Sequence, residues 1–306
     1  VEAFKNYCQY VTEQLGDLMH YVCTINEANM GIQVAAISAR YRAQMMAKMQ
    51  RMQQGGAEEK KDLEGTAQVG MNFNDMMANM QKQKEENVEI FGTDTLQTFV
   101  SARTPEGDML VIRAHQAARA AMKAVKPELQ IGLTLSLHDI QAQEGGEETA
   151  AKEWVDEFTH YVPYIKEDDF FGLQNYSRSL IGPNGILPVP EGAEITQMDY
   201  EYYPEGLEHV IRRVYEEMPM PIMVTENGIA TADDTRRVAY IQTAMKGVEN
   251  CIQDGIPVKG YMYWSMMDNF EWQKGFGMTF GLISVDRTTQ TRTAKPSLTV
   301  LGNYTK

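Results

Sequence analysis

The chain has 306 residues, 43% of them hydrophobic and 23% charged, with a formal net charge of −14 at pH 7. That composition belongs to a folded chain able to bury a large core. The absence of any apolar run near ~18 residues excludes a membrane-spanning helix, and the acidity argues against nucleic acid or anionic lipid as partner. Three cysteines, Cys8, Cys23 and Cys251, are too few and odd in number for a disulfide framework, so a reducing, cytoplasmic compartment is expected.

The elements follow from hydrophobic spacing. Val1, Phe4, Cys8, Val11 and Leu15 recur at helical intervals and predict a helix over 1–18. The β-branched run YVCTI at 21–25 predicts a short strand. Residues 107–125 read as a helix and IGLTLSL at 131–137 as a strand. A helix over 147–165 precedes the extended segment DFFGLQN at 169–175. Pro204 and GLEHVIRRVYEEM predict a helix with proline in its first turn. PIMVTE at 221–226 is a strand, 233–253 a helix ended by Gly255 and Pro257, and GYMYWS at 260–265 a strand. Five strands alternating with helices imply βαβ units and a parallel sheet.

One segment breaks this rhythm. Residues 29–106 carry a stripe of Ile37, Tyr41, Met45, Met49 and Met52, a polar run QQGGAEEKKDLEG, and a second Met-rich stretch at Met76, Met77 and Met80. Helices covering the scaffold are the plain reading. An adaptable apolar wall beside a binding site is the sharper one, because methionine repacks readily.

Chemistry concentrates after three strands, at the end where parallel α/β folds bind ligands. Thr24-Ile25-Asn26-Glu27 sets a carboxylate beside an amide. Val224-Thr225-Glu226-Asn227-Gly228 ends an apolar strand on a glutamate. Tyr263 to Trp272 packs Trp264, Asp268, Glu271 and Trp272 into ten residues. Singly, each has a structural reading: a solvent-facing glutamate, an Asn-Gly turn, an aromatic core cluster. Together, two glutamates 199 residues apart (226 − 27) and an aromatic-acid platform suit cleavage of a glycosidic bond, which needs two carboxyl groups flanking one linkage.

The chain resembles glycoside hydrolase family 1, the β-glucosidase-type (β/α)8 TIM-barrel enzymes. TINEA, VTENG, WSMMDNFEW and GFGMTFGLISVD carry the resemblance, with weaker support from YPEGL, DFFGLQNYSR and GIPVKGYMYWS. It implies a retaining β-glycosidase acting on β-D-glucosides or short β-linked oligosaccharides through a covalent glycosyl-enzyme. By the resemblance, Glu27 is the acid/base and Glu226 the nucleophile. Asn26 takes the 2-hydroxyl, Glu271 the 4- and 6-hydroxyls and Trp272 the 3-hydroxyl. Trp264 stacks under the sugar and Phe280 lines its far edge. No metal and no cofactor is implied.

Departures from the family pattern bear on this. Ala28 replaces a usual proline and Thr279 a common basic residue. Gln174-Asn175 falls where the family has the Asn-Tyr pair whose tyrosine bonds the nucleophile, and Tyr176 comes one place later, so Tyr176 and Asn175 both stand as the contact. His138 reads as a local feature rather than a substrate ligand. Only the last five βα units are found, corresponding to family strands four to eight. The chain is therefore expected to be a single barrel domain over 1–306, incomplete at its N-terminus, with a Met-rich helical insert at about 29–106. Five strands cannot close an eight-stranded barrel, so an upstream segment of roughly 100–150 residues, the same segment as a separate chain, the 29–106 insert or a second copy is expected to cover the open edges. The alternative of a different class is a catalytically impaired sugar-binding or scaffold protein on a degraded barrel.

Overall fold

The computed structural model describes residues 1–40, 73–94, 96, 101–272 and 274–305. Helix α1 (Glu2–Leu15) leads through a 3-10 turn into strand β1 (Tyr21–Cys23). Helix α2 covers 30–40, and α3 (Phe73–Phe91) and α4 (Pro105–Val125) follow. Next come β2 (Gln130–Ser136), β3 (Asp139–Ala142), α5 (Glu147–Glu157), α6 (Val162–Ile165), β4 (Phe170–Gln174), β5 (Arg178–Gly182) and β6 (Gly185–Ile186). The chain continues through α7 (Gly206–Glu217), β7 (Ile222–Asn227), α8 (Asp234–Gln253), β8 (Val258–Tyr263), β9 (Ile283–Val285), β10 (Arg292–Ala294) and α9 (Pro296–Gly302).

Five of these strands form one sheet in the order β1-β2-β4-β7-β8, every neighbouring pair parallel. They are the five strands that the hydrophobic runs predict. Two small sheets beside them are not announced by any clear alternation: β3-β5-β6, and the antiparallel pair β9-β10.

Period-two alternation divides the main sheet into two faces. Leu133, Leu135, Phe171, Leu173, Ile222 and Val224 belong to one buried core with residues of the surrounding helices. Ile112 from α4, Trp154 from α5, Val210 and Val214 from α7, and Tyr240 and Val248 from α8 complete that layer. Each large side chain so buried contributes about 1.5–3 kcal/mol. The intervening positions, Gly132, Thr134, Gly172 and Gln174, are small or polar and line the other face.

Local chemistry sets the helix ends. The Thr104 hydroxyl accepts from the Gly107 N–H at 3.2 Å, and Pro105 opens α4. The Asp233 carboxylate accepts from the Thr235 N–H at 2.9 Å at the start of α8. The single helix predicted over 147–165 is broken by a 3-10 turn at Thr159–Tyr161 and restarts as α6, with Pro163 in its first turn. Pro204 sits in the turn ahead of α7 rather than inside it.

Within 29–106, α2 and α3 are helical. Of the first Met-rich stripe, Ile37 lies in α2, while Tyr41, Met45, Met49 and Met52 lie outside the described residues. Among the described residues, no strand pairs with the outer edge of β1 or of β8. Tyr21 and Met262 on those strands are 48% and 51% exposed. Among the described residues no helix is long and apolar enough to cross a membrane.

Candidate active site

The TINEA segment leaves β1 in a tight turn. Glu27 has φ +46°, the left-handed region that a side chain enters at a cost of about 1–3 kcal/mol. Strand β2 holds it there. The Glu27 N–H donates to the Thr134 hydroxyl at 2.9 Å, and the Ala28 N–H donates to the Thr134 carbonyl at 3.0 Å. One residue on, Asn29 is fully buried: its amide donates to the Ser136 carbonyl at 2.7 Å and accepts from the Ser136 N–H at 3.0 Å. The Arg103 guanidinium donates to the Ala28 carbonyl and pairs with buried Asp108 at 3.7 Å. The strained residue is thus fixed by its neighbours on both sides.

Glu226 reaches the cleft through an irregularity. Strict alternation along β7 sets Ile222, Val224 and Glu226 on one face, the helix-packed one. The β4–β7 register shifts between Leu173 and Gln174, so that Leu173 pairs with Val224 but Gln174 with Glu226. The extra residue, Thr225, turns Glu226 to the polar face, a common use of a bulge.

Three side chains then organise Glu226. The Tyr176 hydroxyl donates to its Oε2 at 2.6 Å, and the Asn26 amide donates to its Oε1 at 3.4 Å. Asn26 is itself oriented, because its Oδ1 accepts from Gln174 Nε2 at 2.8 Å and from the Thr134 hydroxyl at 3.1 Å. Tyr176 is therefore the residue that reaches Glu226. Asn175 is buried instead, its amide donating to the Leu137 and Ser177 carbonyls at 2.9 Å each. Asn227, fully buried, ties β7 to both flanking strands: it donates to the Asn175 carbonyl at 2.6 Å and accepts from the Tyr261 hydroxyl at 2.7 Å. Gly228 has no room for a side chain, since a Cβ there would lie 2.1 Å from the Trp264 carbonyl oxygen.

The electrostatics separate the two glutamates. Burial, then the negative charges of Glu226 and Glu271, push the Glu27 carboxyl up to about 7, opposed only by His138. Burial also raises Glu226, but the hydrogen bonds from Tyr176 and Asn26 favour its charged form and pull it back down. Burial and the Glu226 charge raise the Tyr176 phenol well above its ordinary value, so it stays a donor. Both carboxyls are raised, and at Glu226 the two hydrogen bonds to its charged form offset part of the rise. Tyr176→Phe removes the stronger of the two donors to Glu226. It is expected to lower kcat about 10-fold or more and to move the acidic limb of the kcat/KM profile to higher pH, read from initial rates on an aryl β-glucoside.

The β8 exit supplies the rest of the cluster. Trp264 precedes Ser265 through a cis peptide bond and, like Tyr176, Tyr200 and Met278, packs against a buried cluster of Met198, Ala230 and Phe280. Phe280 is 3% exposed and meets Tyr176 edge-on at 6.2 Å between ring centroids, so it backs the tyrosine rather than lining the cleft. Glu271 is raised by burial and by Glu226, which sets it within electrostatic reach of both other glutamates. Trp272 is 80% exposed and does not pack into this cluster. Thr279, at the position of the family's common basic residue, donates its N–H and hydroxyl to Gln197 Oε1 at 3.0 and 2.8 Å.

Of the sequence-predicted site residues, Glu27, Glu226, Asn26, Tyr176, Trp264 and Glu271 come together at the strand ends. Phe280 lies behind them and Trp272 outside. Sequence reasoning missed Thr134 and Gln174, although each is a polar residue in an otherwise apolar strand, which is the signal that could have found them. Among the described residues, no group of three or more His, Cys, Asp or Glu side chains could hold a metal ion.

The profile described as Glycosyl hydrolase family 1 matches residues 35–304, beginning just after the TINEA turn. The chain belongs to that family. It is 37% identical over 147 residues to the 1,4-β-D-glucan glucohydrolase of Thermotoga neapolitana, a span covering 43% of this chain and 33% of that protein. It is 28% identical over 229 residues to the β-galactosidase of Sulfolobus acidocaldarius, covering 64% of this chain and 46% of the relative. The solved structure of β-glycosidase BGL167 superposes with a TM-score of 0.77 at 40% identity, over 99% of this chain and 66% of that one. The chain thus spans about a third to a half of these curated relatives. Its five parallel strands are part of a (β/α)8 barrel.

Proposed function

We propose that this chain carries the catalytic half of a retaining β-glycosidase that hydrolyses β-D-glucosides or closely related β-glycosides. The single observation behind this reading is that Glu27, after β1, and Glu226, on β7, act on each other across the strand ends: the Glu226 charge helps raise Glu27 to about 7, while hydrogen bonds from Tyr176 and Asn26 offset part of the rise of Glu226.

The mechanism follows from that coupling. Ionised Glu226, held by Tyr176 and Asn26, attacks the anomeric carbon. Glu27 gives its proton to the departing oxygen, leaving a covalent glycosyl-enzyme. The charge on Glu226 is thereby consumed, which removes one of the two charges holding Glu27 protonated. Glu27 then takes a proton from water, which attacks the anomeric carbon and releases the sugar. Asn26 is proposed to bond the 2-hydroxyl and Glu271 the 4- and 6-hydroxyls, with Trp264 stacked against the ring. Trp272 is proposed to bond the 3-hydroxyl. The chain is further proposed to be one barrel domain with 29–106 as an insert, working in a reducing, cytoplasmic compartment. An upstream segment or a second copy is proposed to cover the edges of β1 and β8. No cofactor enters this chemistry.

The test is the pH dependence of kcat/KM. Activity needs Glu27 protonated, so it falls as pH rises through about 7. It also needs Glu226 ionised, so it falls again as pH drops through the raised value of that group. A bell with its alkaline limb near 7 is expected; a rate that keeps rising above that point overturns the assignment. One observation favours a second reading, sugar binding without turnover: the free edges of β1 and β8 among the described residues. Saturable glucose binding with no hydrolysis of a fluorogenic β-glucoside would select it.

A further inference from the structure

The turn that carries Glu27 is held by two separate parts of the chain. Strand β2 takes its N–H groups, those of Glu27 and Ala28, on Thr134. The Ala28 carbonyl is taken instead by the Arg103 guanidinium, 75 positions along the chain. Between them, the Glu27 carbonyl accepts from the Met30 N–H at 2.9 Å, where α2 begins. Arg103 is tied to this segment twice, because its own backbone N–H donates to the Gly31 carbonyl at 2.9 Å. Gly31 leaves the lane for its side chain: a Cβ there would lie 2.8 Å from Arg103 Cγ.

The contact is built to bear a load. The Arg103 side chain is 12% exposed, and that of its partner Asp108, in the first turn of α4, is 3% exposed. Asp108 is fixed in turn: its Oδ1 accepts from the Tyr161 hydroxyl at 3.0 Å, and its Oδ2 lies 3.2 Å from His160 Nε2. The guanidinium is therefore buried beside a counter-charge, which is what makes its burial tolerable. A charge-assisted hydrogen bond such as the one to Ala28 is roughly twice as strong as a neutral one. The turn needs that hold, because Glu27 at φ +46° would otherwise relax out of the left-handed region. Ala28 restrains the turn less than a proline would, having no ring to fix its φ.

We propose that Arg103 is a positioning residue for Glu27: its bond to the Ala28 carbonyl, backed by Asp108, keeps the left-handed turn from relaxing and so keeps the Glu27 carboxyl aimed at the departing oxygen. Arg103 acts through the backbone rather than on the substrate. What the carboxyl does rests on the glycosidase reading; the hold on the turn does not. The far end of the 29–106 segment thereby acquires a role at the site, since it and β2 together set the acid/base in place.

Two readouts on the full chain test the proposal. In hydrogen–deuterium exchange, Arg103→Met is expected to speed exchange of the Glu27 and Ala28 amides about 10-fold or more, read in peptides spanning 24–33, while peptides of β7 keep the parent's rate. In kcat/KM, the same variant is expected to lose about 10-fold or more on cellobiose, whose leaving group needs the Glu27 proton, and less than about 2-fold on a 2,4-dinitrophenyl glucoside, which needs none. Arg103→Lys, which keeps a charged donor, is expected to recover part of both losses. It decides by the same two comparisons if Arg103→Met loosens β7 as well. Unchanged exchange at the turn, or equal kcat/KM losses on the two substrates, would overturn the proposal. A parent chain that hydrolyses neither substrate would sink the glycosidase reading, and the exchange comparison would still decide whether Arg103 holds the turn.

Discussion

Glu226→Ala is expected to lower kcat on 4-nitrophenyl β-D-glucoside by about 10⁴-fold or more. The loss is that large because the group removed forms a bond and cannot be replaced by neighbouring water. Tyr176 and Asn26 would remain, but they would point at an empty space. Azide is small enough to enter that space. It is expected to restore turnover and to yield the α-glucosyl azide, because it attacks from the side that Glu226 occupied. Initial rates with and without azide read the effect, and wild-type activity in Glu226→Ala would end the assignment.

Glu27→Ala has the second-largest expected effect, and it depends on the leaving group. Cellobiose departs as a poor alkoxide unless protonated, so its hydrolysis is expected to fall about 10²–10⁴-fold. A 2,4-dinitrophenyl glucoside leaves without a proton, so its first step is expected to be nearly spared and the intermediate to accumulate. Equal losses on the two substrates would remove Glu27 from the acid/base role. A stability effect accompanies this one. The folded-state value of Glu27 is raised to about 7 from an ordinary 4.5. Its contribution to stability is therefore full at low pH and is lost as pH rises from 4.5 through about 7, where the buried group must ionise. Glu27→Gln is expected to raise Tm relative to wild type at pH 8 but not at pH 4, read by calorimetry.

The five strands and their helices are legible in the sequence because burial on the helix-packed face demands an apolar residue at every second position, as in IGLTLSL and PIMVTE. TINEA and VTENG are legible because their carboxylates sit where such runs stop. Other features are not legible, for identifiable reasons. The turn of Glu226 into the cleft depends on a one-residue register slip against β4, which no hydrophobic pattern encodes. The left-handed turn at Glu27 is imposed by Thr134 and Asn29 from outside the segment. Tyr176 and Asn175 compete for one role, and only the path of the chain after Gln174 decides it. Phe280 and Trp272 share a motif-rich stretch, yet one is buried behind Tyr176 and the other is 80% exposed. The small sheet β3-β5-β6 is built from strands of two to five residues, too short for alternation to register.

The most direct test of the two-glutamate account is to trap the intermediate. The chain is incubated with 2,4-dinitrophenyl 2-deoxy-2-fluoro-β-D-glucoside and examined by intact-mass and peptide mass spectrometry. One fluoroglucosyl group per chain, carried on Glu226, is the predicted result. Steady hydrolysis of the parent glucoside with no adduct, or an adduct on any other residue, would contradict the account.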